Sequence, residues 1–327
     1  MKKIILLILM IFIVTLVSFL CYKKDSIKQE KIVLAEVTHS IFYAPLYVAI
    51  ENGYFEKNNI NLELILTSGA DKVSAAILSG DAQIGFAGAE SAIYIYNAGE
   101  KDYLQIFSGL TKRDGQFILS RTNTTNFTFD DLKGKEVIVG RKGGMPALNF
   151  INALKNNNID EKDVNINYSI DYASLSGAFI SGTGDYVNLF EPNATAMQLN
   201  KQGYILSSIG KYSGEMPYTV FYAKKSYIKK NKKLIESFNK SINEGLEYTK
   251  NHSSKDIAKL ISKQFPDSSI NDLEMMIQNY KDADSWLDNT TTTPKSLDNL
   301  QNLLLDNKLI EKKVPYKKLV LDLNNEK

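Results

Sequence analysis

Strand-like apolar segments alternate with helix-like segments along most of this 327-residue chain. The pattern predicts strands at 31–37, 61–67, 82–87, 103–111, 116–121, 136–140, 164–169, 185–190, 204–209 and 218–223. It predicts helices between most of them, at 46–52, 71–78, 90–97, 145–156, 174–180 and 194–201. Such alternation is typical of an α/β fold, in which mostly parallel sheets carry helices on both faces.

Two stretches about one hundred residues apart have related sequences and suggest two similar lobes. Residues 80–86 read GDAQIGF and residues 184–190 read GDYVNLF, and a helix-like segment precedes and follows each. A chance match is the alternative for so short a repeat. The remainder of the chain is mostly helical, with helices predicted at 232–250, 254–264, 269–282 and 294–307. This helical tail must pack on one of the lobes.

The first 30 residues have the pattern of a targeting segment. Two lysines precede an apolar run at 4–20, and a polar stretch follows Cys21. This order is typical of a secretory signal. It resembles bacterial lipoproteins, in which the signal is removed before a cysteine that is then lipidated, although a leucine precedes this cysteine. We predict a signal at 1–20 and the lipidated cysteine with its tether at 21–30. An uncleaved signal anchor and a secreted form are alternatives, and all three place the body outside the cytoplasmic membrane.

Composition excludes several classes of protein. The chain has 39 lysine and arginine residues and 37 aspartate and glutamate residues. The two surplus positive charges are Lys2 and Lys3 of the predicted signal, so the rest of the chain is electrically neutral. A neutral body argues against nucleic-acid binding, whose affinity depends on neutralising phosphates. One cysteine excludes an internal disulfide and a cysteine-held iron–sulfur cluster, and two histidines leave little for a metal site. No cofactor and no metal are predicted.

Several segments together resemble one family of extracytoplasmic proteins. Residues 43–57 read YAPLYVAIENGYFEK and residues 60–64 read INLEL, and the match continues with LSGDAQIG at 78–85 and LKGK at 132–135. This set resembles the NMT1/THI5-like family, which includes the solute-binding proteins of importers for sulfonates, taurine and thiamine pyrimidines. The resemblance covers nearly the whole chain after the signal.

The resemblance implies a type II periplasmic binding protein. Such a protein has two α/β lobes, two hinge strands and a ligand cleft that closes on binding. The implied division is lobe one at 31–112, lobe two at 113–215, and a return to lobe one with a helical tail at 216–327. The expected protein is a monomer without catalytic activity. Its implied partners are a small-molecule ligand, an ABC permease with its ATPase, and the membrane through a lipid anchor.

A glycine-containing turn is a candidate for ligand binding in lobe two. Gly143, Gly144 and Met145 lie where a predicted strand passes into a helix, and ligands of open α/β sheets bind at such strand ends. Glycine lets backbone N–H groups approach a ligand, and a helix N-terminus favours negative charge. The turn therefore fits a carboxylate, sulfonate or phosphate oxygen. The alternative is a tight turn with solvated neighbours.

Comparable positions supply further candidates, including two carboxylates. Gly69 precedes a helix of lobe one, Glu90 and Ser91 begin another, and Glu191 follows a strand of lobe two. A carboxylate in the cleft would accept hydrogen bonds from an amine or an aminopyrimidine, so two of them favour a zwitterion or an amino-heterocycle over a simple anion. The alternative for Glu90 is a favourable acid in a first helical turn.

Residues near the first strand and the predicted hinges complete the candidate set. The resemblance implies that the loop with His39 and Tyr43 covers the ligand, and an aromatic ring there can stack on it. Thr111 and Asp114 belong to the polar run TKRDG at one hinge, and Tyr218 lies at the other. The alternatives are a surface histidine, an ion-paired turn and a tyrosine that only packs within a strand.

Two other functions share this fold. An extracellular sensor would bind a ligand in the same cleft for a signalling partner. An enzyme such as a pyrimidine-precursor synthase is disfavoured, because the cysteine-rich segment implied for that branch of the family is missing. The chain also has no GxSxG motif, and His39 is the one candidate base for a nucleophile.

Overall fold

The computed structural model describes residues 29–67 and 69–324. The predicted signal, the predicted lipidation site at Cys21 and most of the predicted tether lie outside the described residues. Within these ranges, no helix is both long enough and apolar enough to cross a bilayer.

Lobe one is built on a five-stranded mixed sheet. Its strands are β1 (Glu30–Glu36), β2 (Ile60–Leu66), β3 (Ile84–Gly88), β4 (Leu104–Thr111) and β10 (Thr219–Lys224). The order across the sheet is β2-β1-β3-β10-β4. Strand β1 runs parallel to β2 and β3, and β10 runs antiparallel to both of its neighbours. Strand β10 therefore enters from a distant part of the chain and completes the sheet.

Lobe two repeats this arrangement. Its strands are β5 (Phe117–Ser120), β6 (Glu136–Ile138), β7 (Asn165–Asn167), β8 (Tyr186–Leu189) and β9 (Tyr204–Ser208), in the order β7-β6-β8-β5-β9. Three strands are parallel, and β5 lies antiparallel between β8 and β9. The two related sequence stretches contribute β3 and β8, which occupy equivalent places in the two sheets.

Helices pack around both sheets and form most of the C-terminal tail. Those before the tail are α1 (Ala44–Glu51), α2 (Tyr54–Lys57), α3 (Ala70–Ser79), α4 (Glu90–Asn97), α5 (Met145–Asn156), α6 (Leu175–Ile180), α7 (Asn193–Leu199) and α8 (Ile209–Ser213). Those of the tail are α9 (Lys225–Lys230), α10 (Lys232–Asn251), α11 (Ser254–Ile261), α12 (Ile270–Asp282), α13 (Pro294–Asp306) and α14 (Tyr316–Leu319).

The structure differs from the predicted elements mainly at short segments. The strand predicted at 204–209 ends at Ser208, because α8 begins with the next residue. The strand predicted at 164–169 is three residues long. The sequence did not predict α2, α8, α9 and α14, which are four to six residues long and so give only a weak helical period.

The chain passes between the two sheets twice, at 112–116 and at 214–218. We call these segments the two passages. They are hydrogen-bonded to each other, since the N–H of Met216 donates to the Lys112 carbonyl at 2.9 Å. The N–H of Tyr218 likewise donates to the Thr111 carbonyl at 3.2 Å. The passages fall where the sequence predicts the hinges.

The helical tail packs on lobe one and also reaches lobe two. Helix α10 approaches α1 closely at Gly245, where an added Cβ would lie 2.3 Å from the Pro45 carbonyl oxygen. Lys155 of α5 in lobe two pairs with Asp306 of α13 in the tail, with Nζ and Oδ2 2.8 Å apart. The tail therefore contacts lobe one at α1, and it also contacts lobe two, which the sequence did not indicate.

Candidate ligand-binding cleft

Asp114 lies in the first passage, between the two sheets, and is completely buried. Its carboxylate accepts hydrogen bonds from the N–H of Gln116 at 2.7 Å and from Gln116 Nε2 at 3.1 Å. The Tyr218 hydroxyl of the second passage also hydrogen-bonds to it. Burial raises the pKa of Asp114 to about 7, and these hydrogen bonds oppose the rise. The carboxyl group thus links the two passages at the centre of the molecule.

Glu90 begins α4 immediately after β3 and turns its carboxyl group back over that strand. A Cβ added to Gly88 would lie 2.0 Å from Glu90 Oε2, so a side chain there would displace the carboxyl group from this position. Oε2 is buried and has no hydrogen-bond partner among the described residues. Burial raises the pKa of Glu90 to about 7, and the positive charge of Arg141 from lobe two opposes the rise.

Three buried amides from lobe two add polar atoms without partners among the described residues. The side chains of Gln116, Asn149 and Asn188 have no exposed surface. Gln116 Nε2 donates to Asp114 and to the Pro146 carbonyl. Asn149 Nδ2 donates to the Met145 carbonyl at 2.9 Å. The amide oxygens of both side chains have no partner. Both amide atoms of Asn188 lack one. Unpaired buried groups of this kind are costly, so each of them needs a water molecule or a ligand as a partner.

Aromatic side chains of both lobes meet beside these polar groups. The ring of Phe42 lies 5.8 Å from the rings of both Phe190 and Tyr218, and 5.1 Å from the ring of Tyr280. Tyr43 is buried, its ring lies 4.5 Å from that of Phe86, and it hydrogen-bonds to Thr219. The junction therefore combines aromatic walls with acids and amides, as ligand sites commonly do.

Glu191 occupies the junction, but protein groups already engage its carboxylate. Oε2 accepts from the Thr195 N–H at 2.8 Å, and Oε1 accepts from Thr195 Oγ1 and from Asn279 Nδ2, each at 2.8 Å. The Glu191 N–H donates to the Tyr280 hydroxyl at 3.1 Å. Asn279 and Tyr280 belong to α12 of the tail, so these bonds connect the lobes. Burial raises the pKa of Glu191 despite them.

His39 lies at the edge of lobe one, where protein groups engage both ring nitrogens. Nδ1 lies 2.9 Å from Glu36 Oε1, and Nε2 lies 2.9 Å from the Gln264 carbonyl oxygen. The hydrogen bond to Glu36 raises the pKa of the histidine. This arrangement ties the end of β1 to the tail.

The remaining predicted residues of lobe one have individual surroundings. Ser91 is buried and hydrogen-bonds to the Tyr222 hydroxyl. Thr111 is buried, and its Oγ1 accepts from the Thr219 N–H at 2.9 Å. Gly69 precedes α3 with φ of +114°, a conformation that favours glycine.

The predicted turn before α5 lies on the lobe-two side of the cleft. Gly143 has φ of +77°, with open space where a side chain would begin. Gly144 donates its N–H to the Arg141 carbonyl at 3.3 Å. Met145, half-buried, packs against apolar side chains of both lobes. The positive charge of Arg141, which precedes Gly143, lowers the pKa of Glu90 in lobe one. The turn therefore lies near the side of the cleft that holds Glu90.

Sequence reasoning missed the three amides. A single asparagine or glutamine has no motif, and the available signal was a polar residue inside an apolar run. Asn188 interrupts Val187 and Leu189 in a buried strand, and Asn149 interrupts the buried face of α5. A polar residue at such a position must find a partner or a ligand.

A concavity lies on the outside of lobe one. It has a volume of about 250 Å³ and is lined by residues of α2 and α10, including Tyr54, Lys57 and Tyr248. None of the predicted site residues lines it. Among residues 29–67 and 69–324, no group of acidic, histidine and cysteine side chains is arranged to hold a metal ion. The junction of the lobes, with Asp114 in the first passage and Phe42 against Phe190, remains the candidate site.

The paired sheets, the two passages and the polar junction between them define a protein of the periplasmic-binding-protein class. A family model described as NMT1/THI5 like matches residues 41–255, and the chain belongs to that family. A protein of Bacillus subtilis (strain 168), named "Putative binding protein YtlA", is 39% identical over 307 residues, which are 92% of each chain.

Solved structures of other binding proteins share the fold. The periplasmic aliphatic sulphonate binding protein SsuA from Escherichia coli superposes with a TM-score of 0.70 at 20% identity, covering 89% of this chain and 97% of that one. The alkanesulfonate-binding protein SsuA from Xanthomonas axonopodis pv. citri, bound to MOPS, gives 0.68 at 16% identity over 89% of this chain and 98% of that one. These comparisons confirm the predicted family and fold class.

Proposed function

We propose that this chain is the extracytoplasmic substrate-binding protein of an ABC importer. It captures a small organic ligand between its lobes and delivers that ligand to a permease driven by an ATPase. The observation that carries the proposal is the junction of two lobes joined by two passages, where the buried acid Asp114 lies and aromatic side chains of both lobes, Phe42 and Phe190, meet. Family membership and fold support it.

The proposed mechanism is closure of the two lobes without chemistry. Lobe one comprises 31–112 and 216–327, lobe two comprises 113–215, and the lobes move about the passages. The bonds from α12 to Glu191 and the pair between Lys155 and Asp306 hold the lobes together when they close. A ligand that binds the closed form better shifts the population toward it, and a permease can recognise that form. The chain works as a monomer.

The proposed ligand is either a sulfonate of the taurine kind or an amino-heterocycle of the thiamine-pyrimidine kind. The predicted binding groups are His39, Tyr43, Gly69, Glu90, Ser91, Thr111, Asp114, Gly143, Gly144, Met145, Glu191 and Tyr218. The burial of Asp114 and Glu90 supports this set, and we add the buried amides Gln116, Asn149 and Asn188 to it.

We expect the full-length chain, purified in mild detergent, to carry or to accept a small molecule. Native mass spectrometry followed by denaturing release would show a bound mass below about 1 kDa. If the chain is purified empty, a small-molecule extract of the producing cells should raise its free energy of unfolding. A ligand at about 100 times its Kd adds about 2.7 kcal/mol. An empty chain that no such extract stabilises would contradict a binding function.

Anchoring through a lipid on Cys21 is a separate part of the proposal. We expect Cys21→Ser to abolish incorporation of a labelled fatty acid, because the thiol is the site of attachment. In the alternative, an uncleaved signal anchor, the wild-type chain incorporates no label and retains its first 20 residues. Labelling and intact-mass measurement of the wild-type and variant chains from isolated membranes distinguish the two.

A further inference from the structure

The sheet of lobe one has one edge beside the two passages and another edge opposite them. Strand β10 is antiparallel to β3 and β4, and Thr219 at its start pairs with Thr111 at the end of β4, next to the passages. At the other edge Lys224 pairs with Leu104, the first residue of β4. Strands β1, β2 and β3 begin at this same edge, since they run parallel to one another. We call it the far edge, because it lies opposite the candidate cleft.

A dense group of lysines lies at the far edge. Residues 224–233 read KKSYIKKNKK and contain six lysines and no acid. This stretch, which we call the basic segment, ends β10, forms α9 and begins α10. All of its lysines except Lys224 are exposed. Because the chain after the predicted signal is neutral overall, the other residues together carry a surplus of six negative charges.

The acids that border the basic segment leave most of its charge uncompensated. Asp102 accepts a hydrogen bond from the N–H of Ser226 at 2.8 Å, and Glu236 lies about one turn further along α10. Three lysines form no ion pair within the described part of the chain, namely Lys229, Lys230 and Lys233. The far edge therefore presents an exposed positive surface.

The chain enters lobe one beside the basic segment. Glu30, the first residue of β1, donates its N–H to the Asn59 carbonyl at 2.9 Å. Burial and the charge of Glu30 raise the pKa of Tyr227 in α9, so these two residues lie close together. Glu30 follows Cys21 by nine residues, which span about 30 Å when fully extended. A membrane anchor at Cys21 or in the apolar run before it would therefore hold the far edge close to a bilayer.

We propose that the basic segment binds the anionic phospholipid headgroups of the membrane that anchors the chain. This inference rests on the anchoring within the proposed function and goes beyond ligand capture. Lysines close to an anionic lipid surface are attracted to it, and a short tether raises their effective concentration there. The cleft stays uncovered, because the basic segment lies at the opposite edge of the sheet.

The rate at which each lysine is labelled in the anchored chain tests this proposal. The full-length chain is reconstituted into vesicles of phosphatidylcholine alone or of phosphatidylcholine mixed with phosphatidylglycerol. A membrane-impermeant amine reagent labels exposed lysines, and mass spectrometry gives the rate at each position. Rates are normalised to exposed lysines of lobe two, which are Lys135, Lys162 and Lys211.

We expect the exposed lysines of the basic segment to be labelled about 5-fold more slowly on the phosphatidylglycerol vesicles, the factor that corresponds to the attraction of one lysine to such a surface. Salt at about 1 M should remove this protection, because it shortens the Debye length to about 3 Å.

A triple variant tests which lysines are responsible. Lys229→Gln, Lys230→Gln and Lys233→Gln together should abolish the protection of Lys225, because half of the charge of the segment is lost. The matched control is Lys135→Gln, Lys162→Gln and Lys211→Gln, which removes the same charge from lobe two and should leave Lys225 protected.

Several results would overturn the proposal. Equal labelling on both kinds of vesicle, or protection that persists in high salt or in the first triple variant, would exclude electrostatic binding to lipid and leave anchoring and ligand capture standing. A chain that stays in solution with both kinds of vesicle would overturn the anchoring, and the lipid contact with it. Protection by soluble polyphosphate in detergent, without protection on phosphatidylglycerol, would assign the segment to a soluble polyanion instead.

Discussion

The ligand-free protein is expected to lose several kcal/mol of unfolding free energy as the pH rises from about 4 to about 8. Burial raises the pKa of Asp114 and of Glu90 to about 7, from the ordinary values of 3.8 and 4.5. The folded state therefore binds protons that the unfolded state has released. This contribution to the free energy of unfolding is fully present below the pKa values of the two carboxyl groups in the unfolded chain. It is lost as the pH rises through about 7. Each carboxyl contributes about 3–4 kcal/mol.

Denaturant unfolding at a series of pH values measures this slope. Glu90→Gln and Asp114→Asn should each flatten it and raise the stability at pH 8, because an amide does not titrate. The charged and titratable groups that interact with the two acids are Arg141, Tyr43, Tyr94, Tyr172, Tyr218, Tyr222 and Tyr280. Exposed Glu311→Gln should keep the wild-type slope. If both amide variants kept the wild-type slope, ionisation of neither carboxyl group would lower the stability of the folded protein.

Gly245→Ala should destabilise the protein by about 2–3 kcal/mol, although alanine is the better helix former. The added Cβ would lie 2.3 Å from the Pro45 carbonyl oxygen and 3.0 Å from Ala49 Cβ, so α10 would have to move away from α1. Both contacting atoms belong to a buried helix and cannot turn aside as a flexible side chain can.

Gly177→Ala is the matched control for this substitution. Gly177 lies in α6, and nothing lies within 4 Å of the position of its added Cβ. We expect that variant to be neutral or up to about 1 kcal/mol more stable. Denaturant midpoints of the two variants give the comparison. Equal effects at both sites would mean that α10 and α1 do not meet as closely as the structure shows.

The strands and longer helices could be predicted because their apolar residues repeat with the period of the element. The order of the strands within each sheet could not be predicted from this period. Strand β5 follows β4 of lobe one in the chain but belongs to the sheet of lobe two. Strand β10 follows β9 of lobe two but belongs to the sheet of lobe one. No local sequence pattern predicts such a change of sheet. The resemblance to a family supplied the two-lobed arrangement that periodicity alone left open.

The candidate site was predictable only in part, since burial and long-range pairing decide it. Asp114 and Glu90 carry a chemical signal in sequence, and both are buried at the junction. Glu191 carries the same signal, yet Asn279, 88 residues away, engages its carboxylate. Asn188 carries only a weak signal, a polar residue within an apolar strand, and its unpartnered amide became visible only in the structure.

The pairing of the two passages limits how the lobes can move. Twisting or sliding one lobe against the other would break the bonds of Met216 to Lys112 and of Tyr218 to Thr111, whereas bending the pair as one ribbon preserves them. Under the proposed mechanism of lobe closure, the open protein therefore explores few relative orientations. Ligand binding then loses little configurational entropy, so a larger part of the free energy gained from ligand contacts contributes to affinity.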